Sequence, residues 1–311
     1  MNKPFAIGID IGGTNTALGL VDRRGQILLK ASLNTTAYDT VGDYVKAVAE
    51  EVEKFKQHSG ADNIQGVGVG APNGNYYTGE IVNAVNMPWK EVIPFATLLK
   101  KETELQVTLT NDANATAMGE MMYGAARGMK DFVVVTLGTG VGTGFVANGQ
   151  LIYGHDGFAG ELGHMIAVRD GRDCPCGRKG CLERYCSATG IVITAKEFLA
   201  DDDTSVLHKE DKLTAKSIAE AANAGDELAL KIFEFTAKVL GQTLADAVSI
   251  TSPQAIILFG GLAQAGKVLF EPTKKYMEEN LLYLYKDKVN ILPSMLPGAD
   301  AAVLGASALA W

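Results

Sequence analysis

The chain has 311 residues, of which 47% are hydrophobic and 21% charged, which is ordinary for a globular protein of one large or two medium domains. Its net charge of −8 gives an acidic surface that repels phosphate backbones, so nucleic acid is not expected as a partner. There is no signal-peptide pattern and no apolar stretch of about 18 residues, so we expect a cytoplasmic protein without a membrane span.

A repeated pattern organises the first half of the chain. Residues 5–22 (FAIGIDIGGTNTALGLVD) and 132–149 (FVVVTLGTGVGTGFVANG) each contain an apolar run, a Gly/Thr-rich turn, a second apolar run and a polar turn. Each copy predicts a β-hairpin with a glycine loop at its tip, and a third apolar segment, 26–33, follows the first copy. Two such copies predict two related α/β lobes that face each other.

Segments with helical spacing lie between and after these hairpins. Residues 41–57 place apolar side chains at helical intervals, with Thr40 and Asp43 as a capping box and Gly60 as the stop. The pattern also predicts a helix over 226–250, a buried strand ending in a glycine turn over 254–261, and a C-terminal helix over 299–311.

The first candidate site is the turn at residues 10–15 (DIGGTN). Gly12 and Gly13 carry no side chain, so their backbone N–H groups can approach an anion closely, and Thr14 adds a hydroxyl donor. Asp10 lies where a carboxylate could hold Mg²⁺, directly or through water. Taken alone, the glycine pair would equally fit a simple hairpin turn.

The second candidate site is the loop at residues 137–144 (LGTGVGTG). So many glycines weaken a strand unless the backbone must curl around a ligand. The loop lacks the Gly-Lys-Ser/Thr of a Walker A motif and the spacing of a dinucleotide-binding motif. Glycine loops at equivalent places in a repeat predict a nucleotide whose phosphates are held from both sides.

The third candidate site is the pair Asn111 and Asp112. A predicted strand ends here and a predicted helix begins, and the helix dipole favours an ionised carboxylate at this position. An ionised Asp aimed at a hydroxyl is a suitable general base for phosphoryl transfer. The alternative is that Asp112 only caps the helix.

All four cysteines fall within residues 174–186. Cytosolic thiols are kept reduced, so this cluster favours a metal over disulfides. Zinc commonly takes three cysteines and one histidine. His164 is the nearest glycine-flanked histidine, His155 is a weaker candidate, and Cys186 competes as the fourth ligand. The alternative is that these are unligated buried cysteines.

Polar residues flank this cysteine loop and a segment further upstream. Glu161 and Glu183 bracket the loop and could accept hydrogen bonds from several sugar hydroxyls. Taken alone, each of them would be interpreted as a solvated surface residue. Asparagines in segments 70–74 and 83–89 offer both donors and acceptors to hydroxyls. Trp89 could cover an apolar sugar face, but core packing is the favoured interpretation.

These motifs together resemble the ROK family of sugar kinases, and within it the bacterial glucokinases. DIGGTN, the Asn-Asp pair, LGTGVGTG, GELGH and CPCGRKGCLE occur in the family's order and spacing over residues 7 to about 190, and the glycines at 260–261 continue the match. The resemblance implies a two-lobed α/β fold of the actin/hexokinase-like (ribonuclease H-like) type with an interlobe cleft. We expect a small lobe at 1–112 plus 298–311 and a large lobe at 113–297 with the zinc loop.

The resemblance also implies a role for each matching residue. Asp112 is the expected catalytic base, which takes the proton from the 6-hydroxyl of the sugar. The expected sugar-binding set is Asn86, Asn111, Asp112, Glu161, His164 and Glu183. The expected nucleotide-binding set is Asp10, Gly12, Gly13, Thr14, Gly138, Thr139, Gly140, Gly260 and Gly261. The expected zinc ligands are His164, Cys174, Cys176 and Cys181, which leaves Cys186 outside the site.

The sequence thus predicts ATP-dependent phosphorylation of a hexose, glucose first of all, with ATP, Mg²⁺ and a structural Zn²⁺. Kinases for N-acetylmannosamine, N-acetylglucosamine, fructose or allose are alternatives with the same catalytic frame. A sugar-sensing regulator is disfavoured by the Asn-Asp pair and by the lack of room for a DNA-binding module before Asp10. The zinc loop fits an actin-like ATPase poorly. The resemblance further implies a homo-oligomer, a dimer or tetramer.

Overall fold

The computed structural model describes residues 3–84, 87–298 and 300–311, which form a mixed α/β chain. The strands are β1 Phe5–Ile11, β2 Asn15–Asp22, β3 Ile27–Asn34, β4 Ile64–Ala71, β5 Val107–Asn111, β6 Phe132–Leu137, β7 Val141–Ala147, β8 Gln150–Leu151, β9 Ala255–Phe259 and β10 Asn290–Pro293. The α-helices are α1 Val41–Ser59, α2 Phe95–Thr103, α3 Asp112–Tyr123, α4 Glu183–Cys186, α5 Ala188–Leu199, α6 Ala215–Asn223, α7 Glu227–Thr251, α8 Lys267–Asn280 and α9 Ala301–Ala308.

Contacts divide the chain into two compact units, each built on one five-stranded sheet. The first unit comprises Met1–Gly128, Leu151–Ala159 and Met295–Trp311, and the second comprises Met129–Gln150 and Gly160–Ser294. This division differs from the expected boundary at residue 112, because helix α3 goes with the first sheet. An added Cβ on Gly119 of α3 would lie 2.8 Å from the Cα of Gly305 in α9, so these two helices pack backbone to backbone.

The first sheet has the strand order β3-β2-β1-β4-β5. The predicted hairpin is confirmed as the antiparallel pair β1–β2, and β3 continues the meander. Strands β4 and β5 add in parallel to β1, so Asp10, Gly70 and Thr110 are lateral neighbours on three adjacent strands. The carboxyl ends of parallel strands meet at one edge of a sheet, which is where open α/β sheets bind ligands.

The helices of the first unit bury its core. The predicted N-cap is confirmed at α1, where the Thr40 hydroxyl accepts from the Asp43 N–H at 3.1 Å, and Gly60 ends the helix at φ 79°. The Asp43 carboxylate accepts from the Thr40 hydroxyl at 2.7 Å, in place of the reciprocal backbone bond of a capping box. Helix α9 comes so close to the sheet that a Cβ on Gly8 or Gly68 would lie 2.0 or 1.9 Å from a helix carbonyl oxygen. Both glycines are therefore needed for the C-terminal helix to cover β1 and β4.

The second sheet has the order β10-β9-β6-β7-β8. Its antiparallel hairpin β6–β7 confirms the second copy of the repeat, and β9 pairs in parallel with β6. The predicted long helix is α7, whose N-cap Asp226 accepts from the Ala229 N–H at 2.8 Å. The core of this unit is formed by the sheet and by helices that include α5, α6, α7 and α8. In the part of the chain that the structure describes, no helix is both long and apolar enough to cross a membrane.

Candidate active site and metal centre

Two acidic residues lie close together at the carboxyl edge of the first sheet. Asp10 is the penultimate residue of β1 and Asp112 opens α3 directly after β5. A Cβ on Gly70, which lies between them on β4, would be 3.8 Å from Oδ1 of Asp10 and 3.6 Å from the Cα of Asp112. Because residue 70 has no side chain, nothing from β4 separates the two acids.

Burial raises the pKa of Asp10 to about 6, and the nearby Asp112 carboxylate adds to the rise. A divalent cation relieves this kind of repulsion between carboxylates, and carboxylate oxygens are the ligands that Mg²⁺ prefers. The acid pair therefore fits a magnesium site in which Asp10 would hold the ion.

Asp112 is placed by the junction between β5 and α3. Asn111 is the N-cap, and its side chain accepts from the Ala113 N–H at 2.8 Å, so Asp112 is not the capping residue. Asp112 as a residue is exposed, but protein atoms surround its carboxyl group and desolvate it. This desolvation raises the pKa of its carboxyl, and the hydrogen bond from the Ala113 N–H opposes the rise. The N–H groups at the start of α3 thus lower the pKa of Asp112, as the sequence led us to expect, but desolvation outweighs them.

The first glycine loop joins β1 to β2 and is held in place by hydrogen bonds to neighbouring residues. The Gly12 N–H donates to the Asn15 carbonyl at 2.9 Å, and the Thr35 hydroxyl donates to the Gly12 carbonyl at 2.9 Å. The Thr35 N–H also donates to the Thr14 carbonyl at 2.8 Å. Gly13 is half-buried and Thr14 is exposed. The carbonyls of this loop are therefore engaged on the protein side, and its tip is accessible to an anion.

The second glycine loop joins β6 to β7 in the same way. The Gly138 N–H donates to the Gly140 carbonyl at 3.1 Å, which tightens the loop around the exposed Thr139. Gly260 follows β9 at φ 103°, and a Cβ there would lie 2.6 Å from the carbonyl oxygen of Leu137. The structure therefore brings the predicted Gly260–Gly261 turn against the base of the predicted phosphate loop, within one unit.

Residues in and near the cysteine loop of the second unit form a candidate metal site. Single ligand atoms from each of four residues all lie within 4.8 Å of one another, and these residues are His164, Cys174, Cys176 and Cys181. Cys186 lies apart in helix α4, where its thiol donates to the Thr236 carbonyl at 3.5 Å. The competing fourth ligand is therefore not part of the cluster, and neither is His155.

The donor set of this cluster fits zinc. Three thiols and one imidazole are the ligands of closed structural zinc sites. Burial raises the pKa of the Cys174 and Cys181 thiols. It also tends to raise the pKa of the Cys176 thiol, but hydrogen bonds from the backbone and guanidinium of Arg178 lower that pKa to about 6, so one of the three thiols is favoured as the thiolate. The imidazole Nδ1 of His164 lies 3.9 Å from Sγ of Cys174, so this nitrogen faces the cluster.

The predicted sugar-binding acids frame the same loop. Oε1 of Glu183 lies 3.3 Å from Sγ of Cys174 and 3.9 Å from Nδ1 of His164, so Glu183 contacts the cluster directly. Glu161 is exposed and precedes the short 3₁₀ helix Leu162–His164, whose His164 N–H donates to the Glu161 carbonyl at 3.0 Å. The cysteine loop therefore places His164 and Glu183 side by side.

Two further sequence predictions concern the segment after β4. Asn86 lies outside the described residues. Trp89 is 7% exposed and packs 4.9 Å from the ring of Tyr44, while its indole N–H donates to the Asp39 carbonyl at 3.3 Å. Core packing of Trp89 is therefore confirmed.

Some residues around the second glycine loop and the cysteine loop were not predicted from the sequence. Ser187 caps α5, and Thr189 donates to the Thr139 carbonyl at 2.8 Å. A serine ahead of an apolar run is an N-cap signal that could have revealed the first of these. Arg172 donates to the Arg184 carbonyl at 2.7 Å and to the Thr194 hydroxyl at 2.9 Å, and so ties the cysteine loop to α4 and α5. No local pattern marks an arginine for such long-range contacts.

Two α/β units built on equivalent glycine hairpins, with an acid pair at the end of the first sheet, define an actin/hexokinase-like fold. The chain belongs to the ROK family, whose sequence model matches residues 6–311. Both the resemblance and the fold class inferred from the sequence are thereby confirmed.

Relatives of known name cover nearly the whole chain. A glucokinase of Halalkalibacterium halodurans is 36% identical over 98% of this chain and 94% of its own. An N-acetylmannosamine kinase of Escherichia coli is 32% identical over 98% of this chain and 97% of its own. A crystal structure of a ROK family glucokinase from Streptomyces griseus in complex with glucose and AMPPNP superposes with a TM-score of 0.80 at 32% identity, covering 98% of each chain.

Proposed function

We propose that this chain is a sugar kinase that transfers the γ-phosphoryl group of ATP to the 6-hydroxyl of a hexose, with glucose as the preferred acceptor. The observation that carries the proposal is the Asp10–Asp112 pair at the carboxyl edge of the first sheet, beside a glycine loop with an accessible tip. Full-length relatives named glucokinase and the related structure with glucose and AMPPNP support it.

Asp112 is the proposed general base. Its carboxylate accepts the proton of the 6-hydroxyl, the sugar oxygen forms a bond to the γ-phosphorus, and the bond from that phosphorus to the β–γ bridging oxygen breaks to release ADP. Desolvation raises the pKa of Asp112. A carboxylate with a raised pKa is a stronger base near neutral pH, which suits this step.

The two glycine loops are the proposed phosphate contacts. Backbone N–H groups of residues 13–14 and 139–140 would donate to phosphate oxygens, while those of Gly12 and Gly138 hold the loops in shape, and Thr14 would add a hydroxyl. Asp10 would hold Mg²⁺, which when bound would spread the negative charge of the transferring group. Gly260 and Gly261 would accommodate the adenosine next to the second loop.

His164 and Glu183, together with Glu161 and Asn111, are the proposed sugar contacts. In the proposed arrangement zinc has no role in the chemistry; His164 and the three clustered cysteines would hold it as a structural ion. Since Glu183 touches the cluster, an ordered cysteine loop fixes the orientation of that carboxylate. Rigid acceptors of this kind are needed to recognise several hydroxyls at once.

Glucose is favoured over N-acetylmannosamine because the glucokinase relative has the higher identity. The test is a panel of glucose, N-acetylmannosamine, N-acetylglucosamine, fructose and allose with Mg·ATP, following ADP release and identifying the phosphorylated position. We expect kcat/KM for glucose to be at least about tenfold above every other sugar, because buried polar groups reject poorly matched hydroxyl patterns.

A higher kcat/KM for N-acetylmannosamine would establish the alternative kinase. ADP release with none of the sugars, together with retained sugar binding, would instead favour a sugar-sensing regulator. The cytoplasmic location and the dimeric or tetrameric state stay predictions, which cell fractionation and sedimentation would test.

A further inference from the structure

Two hydroxyls at the start of helix α5 connect the second glycine loop with Glu183. Ser187 is fully buried, and its hydroxyl lies 2.6 Å from the Glu183 carbonyl and accepts from the Gly190 N–H at 2.9 Å. Its oxygen is 2.9 Å from the hydroxyl of Thr189. The Thr189 hydroxyl in turn lies 2.8 Å from the Thr139 carbonyl at the tip of the loop. A continuous line of polar contacts therefore runs from Thr139 to Glu183.

This line has more contacts than protons. Each hydroxyl carries one hydrogen, so Ser187 and Thr189 together can fill only two of the three oxygen-to-oxygen contacts at a time. If Thr189 turns its proton away from the Thr139 carbonyl, it can donate to Ser187 instead. If Ser187 donates to Thr189, the Glu183 carbonyl loses its donor. Both carbonyls receive a proton when Ser187 donates to Glu183 and Thr189 donates to Thr139, and the contact between the two hydroxyls then lacks one. The two ends of the line are therefore linked by the positions of these hydroxyls and not by competition for a proton.

Backbone and side-chain contacts make the same connection. The Ala188 N–H donates to the Gly138 carbonyl at 2.8 Å, which ties the first turn of α5 to the loop. A Cβ on Gly140 would lie 2.9 Å from Oε2 of Glu183, so the loop backbone lies directly against that carboxylate. A displacement of residues 138–140 must therefore move either α5 or the Glu183 side chain.

We propose that Ser187 and Thr189 are positioning residues that couple nucleotide binding at the second glycine loop to sugar binding at Glu183. The inference rests on the proposed function, which assigns those two ligands to these residues. A phosphate bound by the loop N–H groups fixes the Thr139 carbonyl. Thr189 and Ser187 then hold the backbone of Glu183 in the orientation that receives the sugar.

The test is calorimetric titration of AMPPNP with and without saturating glucose, and of glucose with and without saturating AMPPNP. Thr189→Val removes the hydroxyl but keeps the shape, and Thr189 is exposed, so the fold should tolerate it. In the wild type we expect each ligand to raise the affinity for the other by the same factor of about five or more. In Thr189→Val we expect this factor to fall by at least about twofold, because one hydrogen bond of the connection is lost while the backbone contact between Ala188 and Gly138 stays.

Thr189→Ser is the matched control, because it restores the hydroxyl and should restore the coupling factor. Glucose affinity without nucleotide should differ by less than about twofold among the three proteins, since a merely structural defect would lower it. Ser187→Ala should reproduce the loss of coupling from the other end of the line. An unchanged factor in Thr189→Val, or a factor of one in the wild type, overturns the inference. A wild type that binds no sugar overturns the proposed function and this inference with it.

Discussion

The two glycine hairpins share one design but carry different chemistry. Each has a three-residue loop, 12–14 or 138–140, between two antiparallel strands. Two residues before the loop, the first hairpin has Asp10 and the second has Thr136. Asp10 faces another acid and has a raised pKa, whereas the Thr136 hydroxyl accepts a hydrogen bond from the Gly142 N–H at 3.1 Å within its own hairpin. In the proposed function both loops bind phosphate, and the residue two positions before the loop decides which of them would lie next to Mg²⁺.

The two hairpins also differ in the residues that lie next to them. The first hairpin is followed in its sheet by strands that bring Asp112 beside Asp10. The second lies against Glu183 and the cysteine cluster. We therefore expect substitutions near the first hairpin to act on the chemical step, and substitutions near the second to act on binding.

The largest expected effect is that of Asp112→Asn. Without a general base, kcat should fall by about 10²–10⁴-fold, which is the usual contribution of such a group. Asn keeps the size of the side chain, so glucose affinity should change little. The melting temperature near neutral pH should not fall and should rise, because a desolvated carboxylate that repels Asp10 is removed. Steady-state kinetics and calorimetric glucose titration on the same preparation check both parts.

Asn111→Ala separates this effect from damage to the helix start. It removes the N-cap hydrogen bond to Ala113. If Asn111→Ala lowers stability by about 1 kcal/mol, as lost caps do, while Asp112→Asn lowers kcat without lowering stability, the two roles are distinct. An Asp112→Asn protein with the wild-type rate would remove Asp112 from the mechanism.

The second largest effect is expected from Cys176→Ser. Loss of one ligand should release the metal, disorder the cysteine loop and raise the KM for sugar by about 10–100-fold through Glu183. Cys186→Ser is the matched control, because the same change outside the cluster leaves all four ligands in place. Zinc content measured per chain should drop only in Cys176→Ser, and equal zinc in both variants would contradict the assignment.

Asp10→Asn is expected to affect the stability of the ligand-free protein. Burial and Asp112 hold the pKa of Asp10 at about 6 instead of 3.8, so the folded protein binds more protons than the unfolded chain between these values. Stability therefore falls as the pH rises through this window, and at pH 7 to 8 the charged Asp10 costs on the order of 3 kcal/mol. Replacing it by neutral Asn should raise the melting temperature although Mg²⁺ binding is lost.

The pH dependence of the two melting temperatures tests whether loss of charge causes the higher stability of Asp10→Asn. The difference in melting temperature between Asp10→Asn and the wild type should shrink as the pH is lowered from 7 towards 4, because the wild-type carboxyl becomes protonated, and so uncharged, in the folded state. A difference that is constant with pH would point to packing, not to charge.

The sequence predicted the parts of the site that depend on local pattern. Both hairpins, the junction at Asp112 and the gathered cysteines follow from strand periodicity, helix-start signals and metal-ligand spacing, and the structure confirms them. It could not predict that α3 belongs with the first sheet, because that depends on the contact between Gly119 and Gly305, which are far apart in the chain. The raised pKa of Asp112 was missed for a similar reason, since desolvation depends on the whole fold.

The smallest expected effect concerns the contact between the second loop and Glu183. In Gly140→Ala the new Cβ would lie 2.9 Å from Oε2 of Glu183, and the side chain can swing away, so the fold should remain stable. The displaced carboxylate should raise the KM for sugar by about fivefold, the effect of losing one hydrogen bond, with kcat nearly unchanged. Gly138→Ala is the contrast, because its Cβ would meet no protein atom within 4 Å. Any effect of Gly138→Ala should therefore appear in the KM for ATP and not in that for sugar. Equal changes in both KM values for both variants would mean that the loop acts as one rigid body, without the specific contact to Glu183.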